Sequence, residues 1–139
     1  MSDSSLMQGK RGLILGVAND HSIAWGIASA VAEHGAALAF TYQGDGFAKR
    51  VKPLAESVGS NIVLPCDVSD DASIDAVFSA IEKEWGSLDF VVHSVAYSDK
   101  DELSGRYVDT SRDNFKLTLD ISCFSFTTIA QRAAALMPN

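Results

Sequence analysis

An α/β fold with a parallel sheet wrapped on both faces is predicted by three observations. Short apolar runs alternate with helix-length amphipathic stretches along the whole chain. The turn joining the first run to the first amphipathic stretch carries glycines at both ends, Gly16 and Gly26. A strand-helix order repeated in this way calls for right-handed crossovers, which place helices on both faces of a parallel sheet. With 139 residues, 47% of them apolar, the chain fits one domain with a real core.

The elements follow in order. The polar start Met1-Ser2-Asp3-Ser4-Ser5 opens a flexible lead-in to about residue 9, and Lys10-Arg11 place charge just before the first strand, 11 to 16. Within it, Gly12-Leu13-Ile14-Leu15 suits a strand buried on both faces. The first helix runs from Ser22 or Ile23 to Glu33, with Ser22 as N-cap, Ile23, Ile27 and Val31 as its apolar stripe and His34-Gly35 as its stop. Strand two is 37 to 42, ended by Gln43-Gly44-Asp45-Gly46. Helix two spans about Phe47 to Val58, with a kink or late start expected from Pro53, and Gly59 ends it. Strand three is 61 to 66. The third helix is the best patterned: Ile74, Val77, Phe78, Ile81 and Trp85 form one stripe, and Gly86 closes it. Strand four, 88 to 93, leads through a charged loop from Asp99 to Asp109 to a capping signal at Thr110-Ser111-Arg112-Asp113 and a long helix ending near Met137. That helix carries Phe115, Leu119, Phe126 and Ala133 on one line and Leu117, Ile121, Phe124 and Thr128 on another. Such a helix is expected to be buried twice, against the sheet and against a further helix, which could come from a second subunit.

Composition excludes several functions. A net charge of −7 without a basic patch argues against nucleic-acid or anionic-membrane partners. No apolar run is long enough for a membrane span and the start does not resemble a signal peptide, so the cytoplasm is the expected location. Cys66 and Cys123 give neither metal-ligand spacing nor a disulfide framework, and both read as small packing residues.

The Gly16 to Gly26 turn is where chemistry is first expected. Backbone N–H groups and the positive end of a helix at such a turn favour an anion such as a pyrophosphate. Gly16 suits the tight turn and Gly26 a close approach of helix to sheet, but Ser22 and Ile23 stand where the middle glycine of G-x-G-x-x-G belongs. An ordinary tight turn is the alternative. About 20 residues further on, where an acidic residue usually meets the adenosine ribose, stands Gln43. Its amide could bond the ribose or adenine edge, or serve only the turn. No Arg or Lys adjoins it to clamp a 2′-phosphate, which favours NAD over NADP. Asp67 could accept from an adenine amino group with Val68 on the ring, or be a loop aspartate. His93 reads as a hydrogen-bonded core histidine rather than a catalytic one, and His21 and His34 as surface or cap residues. Tyr97 and Tyr107 lie in loops without a lysine at helical spacing and read as aromatic packing; Trp25 and Trp85 belong to core stripes.

Gly16-Val17-Ala18-Asn19-Asp20, Ser22-Ile23-Ala24-Trp25-Gly26-Ile27-Ala28, Phe40-Thr41-Tyr42-Gln43, Cys66-Asp67-Val68, His93-Ser94-Val95-Ala96 and Asp120-Ile121-Ser122 with Ser125-Phe126 together make a sequence that resembles bacterial enoyl-acyl-carrier-protein reductase of the FabI type, within the short-chain dehydrogenase/reductases. The resemblance implies a Rossmann-like doubly wound sheet, truncated after the fourth strand and its following long helix, so that residues 1–139 would be a single dinucleotide-binding domain incomplete at its C-terminal side. It implies NADH as cofactor, with Gly16, Ser22 and Ile23 at the pyrophosphate, Gln43 at the adenosine, Asp67 and Val68 at the adenine, Val95 and Ala96 beside the nicotinamide ribose, and Ser98 toward the acyl substrate. In that family NADH gives hydride to a trans-2-enoyl thioester on acyl carrier protein, in fatty-acid synthesis, and a tyrosine hydroxyl helps to stabilise the resulting enolate. That tyrosine and its lysine fall after Asn139, so no residue takes the catalytic role here. The chain alone is expected to be inactive, to leave the edge of strand four uncovered, and to associate through its last helix, the family being typically tetrameric. A non-catalytic dinucleotide-binding or assembly module, or another short-chain reductase, is the rival expectation; intact mass and dinucleotide affinity discriminate the first of these.

Overall fold

The computed structural model describes residues 5–138. It contains a four-stranded parallel sheet in the order β3-β2-β1-β4, with β1 Arg11–Leu15, β2 Ala37–Tyr42, β3 Ile62–Pro65 and β4 Phe90–His93. The helices between them are α1 Ile23–Glu33, α2 Asp45–Ser57 and α3 Asp71–Trp85. After β4, short 3-10 turns at Lys100–Glu102 and Tyr107–Asp109 lead to α4 Arg112–Leu119, a π-helical turn at Asp120–Phe124, and α5 Ser125–Leu136. The expected doubly wound class is what the molecule adopts.

Alternation along the strands divides the core in two. Leu13, Leu15 and Ala39 point to the face covered by Ile74, Val77, Phe78 and Ile81 of α3 and Ile129 and Ala133 of α5. Ile14, Leu38 and Phe40 point to the other, covered by Ala24 and Ala28 of α1 and Val51 and Ala55 of α2. Central β1 is buried on both sides, with Leu13 and Ile14 at 0% exposure, as its unbroken apolar run requires. Gly12 has a packing reason the sequence did not reveal: a Cβ there would run into the ring of Phe90, its partner on β4.

Several expectations need correction. The buried stripe of α1 is Ala24 and Ala28, not Ile23, Ile27 and Val31; Ile23 is 77% exposed and only Val31 packs against the core. Small residues let α1 lie close to the sheet, and the isoleucines are one step round the helix. Gly26, expected to make that approach, has open space where a Cβ would stand. Pro53 neither delays nor ends α2, which starts at Asp45 and runs through it. Pro53 is on the exposed side, where water can serve the carbonyl that loses its helical partner. The lead-in, as far as it is described, is tied down: the Met7 N–H donates to the His34 carbonyl at 2.9 Å and Gln8 abuts Gly35. Its first residues, Met1 to Ser4, lie outside the described residues. Cys66 is buried as expected, but Cys123 is exposed because it lies on the outer side of the π turn.

The last helix departs most. Its inner side carries Asn114, Ser125, Ile129 and Ala133, while Phe115, Leu117, Leu119, Phe124 and Phe126 are 40–56% exposed. One side covers the sheet as expected. Of the large apolar residues on the other, Phe126 still meets the ring of His93 on β4, but all five remain at least 40% exposed.

Candidate functional site

At the end of β1 the chain must leave the sheet, and Gly16 does so at φ +107°, where a Cβ would overlap the Ser94 backbone carbonyl. The loops after β1 and β4 therefore touch. They diverge on opposite sides from this point, because the chain moves outward through β2 and β3 and then crosses to β4. A crevice at such a reversal, outside the carboxyl ends of parallel strands, is the place where open α/β sheets bind ligands.

Beyond Gly16, Ser22 organises the loop. Its Oγ accepts from the N–H groups of Ala18 at 2.9 Å and Asn19 at 3.2 Å, and the Asn19 Oδ1 accepts from the His21 N–H at 2.8 Å. Ser22 occupies the N-cap position of α1, but its side chain faces back into the loop rather than capping the helix. The first turn of α1 thus has no side-chain cap and no acidic residue. The Trp25 N–H is taken by the Ser22 carbonyl at 3.0 Å, which leaves the Ile23 and Ala24 N–H groups and the positive end of the dipole available to an anion.

Of the residues singled out from sequence, Gly16, Gln43, Val68, Val95 and Ala96 line one crevice, with one or two contributed after each strand. Ser22 and Ile23 do not line it: Ser22 holds the N–H of Ala18, which does, and Ile23 is exposed at the start of α1. Asp67 turns to its own loop: its Oδ1 accepts from the Ser69 N–H at 2.9 Å and the Ser69 hydroxyl at 2.6 Å. Ser98 is drawn to the last helix, its Oγ accepting from Asn114 Nδ2 at 3.0 Å and Thr118 Oγ1 at 3.2 Å. The same crevice is walled by Thr41, Tyr42, Phe47 and Ser94, which sequence reasoning did not single out as site residues. Position at the carboxyl end of a strand was the available signal for three of them, Thr41 and Tyr42 as the last residues of β2 and Ser94 as the first after β4; Phe47 had none, since it comes from the start of α2. Cys66 also lines it. Burial, then the charge of Asp67, pushes its thiol up to about 11, so it stands there as an uncharged wall and not as a nucleophile.

His93 faces away from chemistry. Its Nε2 lies 2.8 Å from Ser125 Oγ, whose hydroxyl hydrogen is given to the Ile121 carbonyl at 2.6 Å. Ser125 must then accept, which puts the imidazole proton on Nε2. Burial holds this ring below the ordinary histidine pKa, and Phe126 packs edge-on at 5.6 Å. Tyr97 and Tyr107 are 50% and 78% exposed, and no tyrosine hydroxyl among the described residues is bonded to a lysine. The described residues contain no group of three His, Cys, Asp or Glu arranged for a metal, and no helix long and apolar enough to cross a membrane.

Sheet order and crevice define a Rossmann-like α/β protein with an open anion-favouring turn at its switch point. Residues 16–139 match the family described as Enoyl-(Acyl carrier protein) reductase, and the chain belongs to that family, in its FabI type. It is 65% identical over 134 residues to Enoyl-[acyl-carrier-protein] reductase [NADH] 2 of Rhizobium meliloti, covering 96% of this chain and 50% of that protein. It is 52% identical to Enoyl-[acyl-carrier-protein] reductase [NADH] FabI of Rickettsia felis, again over 96% of this chain and 52% of the relative. Among solved structures, FabI from Candidatus Liberibacter asiaticus superposes with a TM-score of 0.93 at 60% identity, covering 95% of this chain and 51% of that one. The enoyl-(acyl-carrier-protein) reductase of Anaplasma phagocytophilum, solved in complex with NAD, gives 0.92 at 60% identity, covering 96% and 52%. The chain spans about half the length of the curated relatives it matches.

Proposed function

We propose that this chain forms a single dinucleotide-binding domain and acts as the NADH-binding part of an enoyl-acyl-carrier-protein reductase of cytoplasmic fatty-acid synthesis. The observation that carries this reading is the convergence on one crevice of Gly16 from beyond β1, Gln43 from beyond β2, Val68 from beyond β3, and Val95 and Ala96 from beyond β4. The residues fit a dinucleotide: the uncapped first turn of α1 suits a pyrophosphate, and Gly16 keeps the loop free of a Cβ where β1 and β4 diverge. Ser22 shapes the pyrophosphate loop through Ala18 and Asn19, with Ile23 opening the helix behind it. Gln43 meets the adenosine ribose, Val68 packs on the adenine with Asp67 fixing the turn that carries it, and Val95 and Ala96 flank the nicotinamide ribose. Ser98, held by Asn114 and Thr118, stands toward the acyl substrate. The bound cofactor supplies hydride to an enoyl thioester carried by acyl carrier protein. The protein's part here is to hold and orient it. No tyrosine-lysine pair is present among the described residues, so the 139-residue chain binds cofactor without turnover.

Titration of this chain with NADH and NADPH, followed by fluorescence and calorimetry, tests the reading. NADH is expected to bind at least about tenfold tighter than NADPH, for want of a cation beside Gln43 to meet a 2′-phosphate. The same preparation is expected to show no oxidation of NADH by a trans-2-enoyl thioester. Absence of NADH binding overturns the assignment of the crevice, and turnover overturns the inactive reading.

A further inference from the structure

A row of small polar side chains on the last helix grips the segment after β4. The Asn114 Oδ1 accepts from the Asp99 N–H at 2.8 Å, and Asn114 and Thr118 both reach Ser98. Ser125 holds His93. Between them, Ser122 holds both backbone groups of one residue: its Oγ accepts from the Tyr97 N–H at 3.0 Å and donates to the Tyr97 carbonyl at 3.1 Å. Among the described residues no strand pairs with this segment, and a side chain supplies the bonds a ladder would otherwise give. The π turn makes the row possible. Asn114, Thr118 and Ser122 are four residues apart, and each such step overshoots a 3.6-residue turn by about 40°, so the row would drift off one face of a regular helix. At Asp120–Phe124 the turn widens, and the Ser125 N–H reaches back five residues to the Asp120 carbonyl. That takes up the drift and keeps Ser122 and Ser125 on the same side as Asn114.

We propose that Ser122, presented by this π turn, is the positioning residue for the nicotinamide end of the cofactor crevice: it fixes Tyr97 and, one and two residues back along the chain, the Ala96 and Val95 wall. Ser122 itself does not line the crevice. The inference rests on the crevice being the NADH site. Its consequence is spatially selective, because the adenosine end is formed by Gln43 and Val68, which follow β2 and β3 on the opposite side of β1 from the segment that Ser122 holds.

The test compares NADH with ADP, which lacks both the nicotinamide and its ribose, as ligands of the intact protein and of its Ser122→Ala and Ser122→Thr variants. Loss of two backbone hydrogen bonds in Ser122→Ala is expected to weaken NADH about fivefold to tenfold while ADP changes less than about twofold. Ser122→Thr keeps the hydroxyl and is expected to restore NADH binding to within about threefold of the unaltered protein. Unchanged ADP affinity also reports that Ser122→Ala is folded. Equal weakening of both ligands, no weakening of either, or a Thr variant as weak as the Ala variant overturns the proposal. If the unaltered protein binds neither ligand, the NADH reading of the crevice falls, and this inference falls with it.

Discussion

Gly16, Ser22 and His93 show how much a single residue's role depends on what lies opposite it. Gly16 was readable as a turn glycine, and the turn is there; that its Cβ would strike the carbonyl of Ser94, many residues away in sequence, was not. Ser22 occupies the expected helix boundary, but loop N–H groups compete for its hydroxyl and win. His93 was expected to be a satisfied core histidine, and it is bonded to Ser125 with the proton on Nε2. Its ring is held neutral by burial, below its ordinary pKa, so the unfolded chain takes up a proton first as pH falls. Stability supplied by His93 is therefore present above about pH 6.5, the unfolded value, and is lost as pH falls through the lower folded value. Thermal melts between pH 7.5 and 5, taken at about constant ionic strength, are expected to show a slope that His93→Gln reduces, since the amide keeps a donor for Ser125 without titrating. An unchanged slope in the variant would remove His93 from the pH dependence.

Elements were legible where periodicity was strong. In α3 the stripe Ile74, Val77, Phe78 and Ile81 is buried as read, and Gly86 closes the helix in the left-handed conformation. The cap of α4 was legible too: Ser111 Oγ accepts from the Asn114 N–H at 3.1 Å, and Glu102 receives the Ser111 N–H and hydroxyl at 2.7 and 2.8 Å. Replacing Ser111 with Ala removes the cap and leaves Glu102 one bond fewer. Chemical denaturation is expected to show a loss of about 1 kcal/mol, with Ser111→Asp losing less because it can still cap, although it sets a charge near Glu102. Equal losses would mean that capping is not what Ser111 contributes. The reading of α1 failed because periodicity counts apolar residues and not the space between helix and sheet. Alanines set the distance there, and the longer isoleucines point away. The π turn left no trace in hydrophobic spacing, since one widened turn shifts phase without changing composition.

For the whole molecule, the outward features among the described residues include the two free edges of the sheet, β3 and β4, and the row of large apolar side chains on the last helix. Single exposed apolar residues need no explanation, but Phe115, Leu119, Phe124 and Phe126 at 45–56% exposure on one element form a surface that association would bury. Self-association through this helix is the expectation that the sequence resemblance carries, and Leu119→Glu tests it by setting a charge in that surface without altering the core. Size-exclusion chromatography with light scattering of the intact protein is expected to show a smaller species for the variant, at unchanged helix content. Retention of the parent size would place any interface elsewhere.

By itself the sequence determined the alternation of strands and helices, the parallel doubly wound class and the family. These follow from local hydrophobic periods and motif residues that a chain carries along its length. Strand order, the meeting of Gly16 with Ser94, the outward face of the last helix and the grip of Ser122 on Tyr97 were decided only by the tertiary structure. Each joins residues far apart in sequence, and packing distance and hydrogen-bond competition between such residues leave no signal in either segment alone.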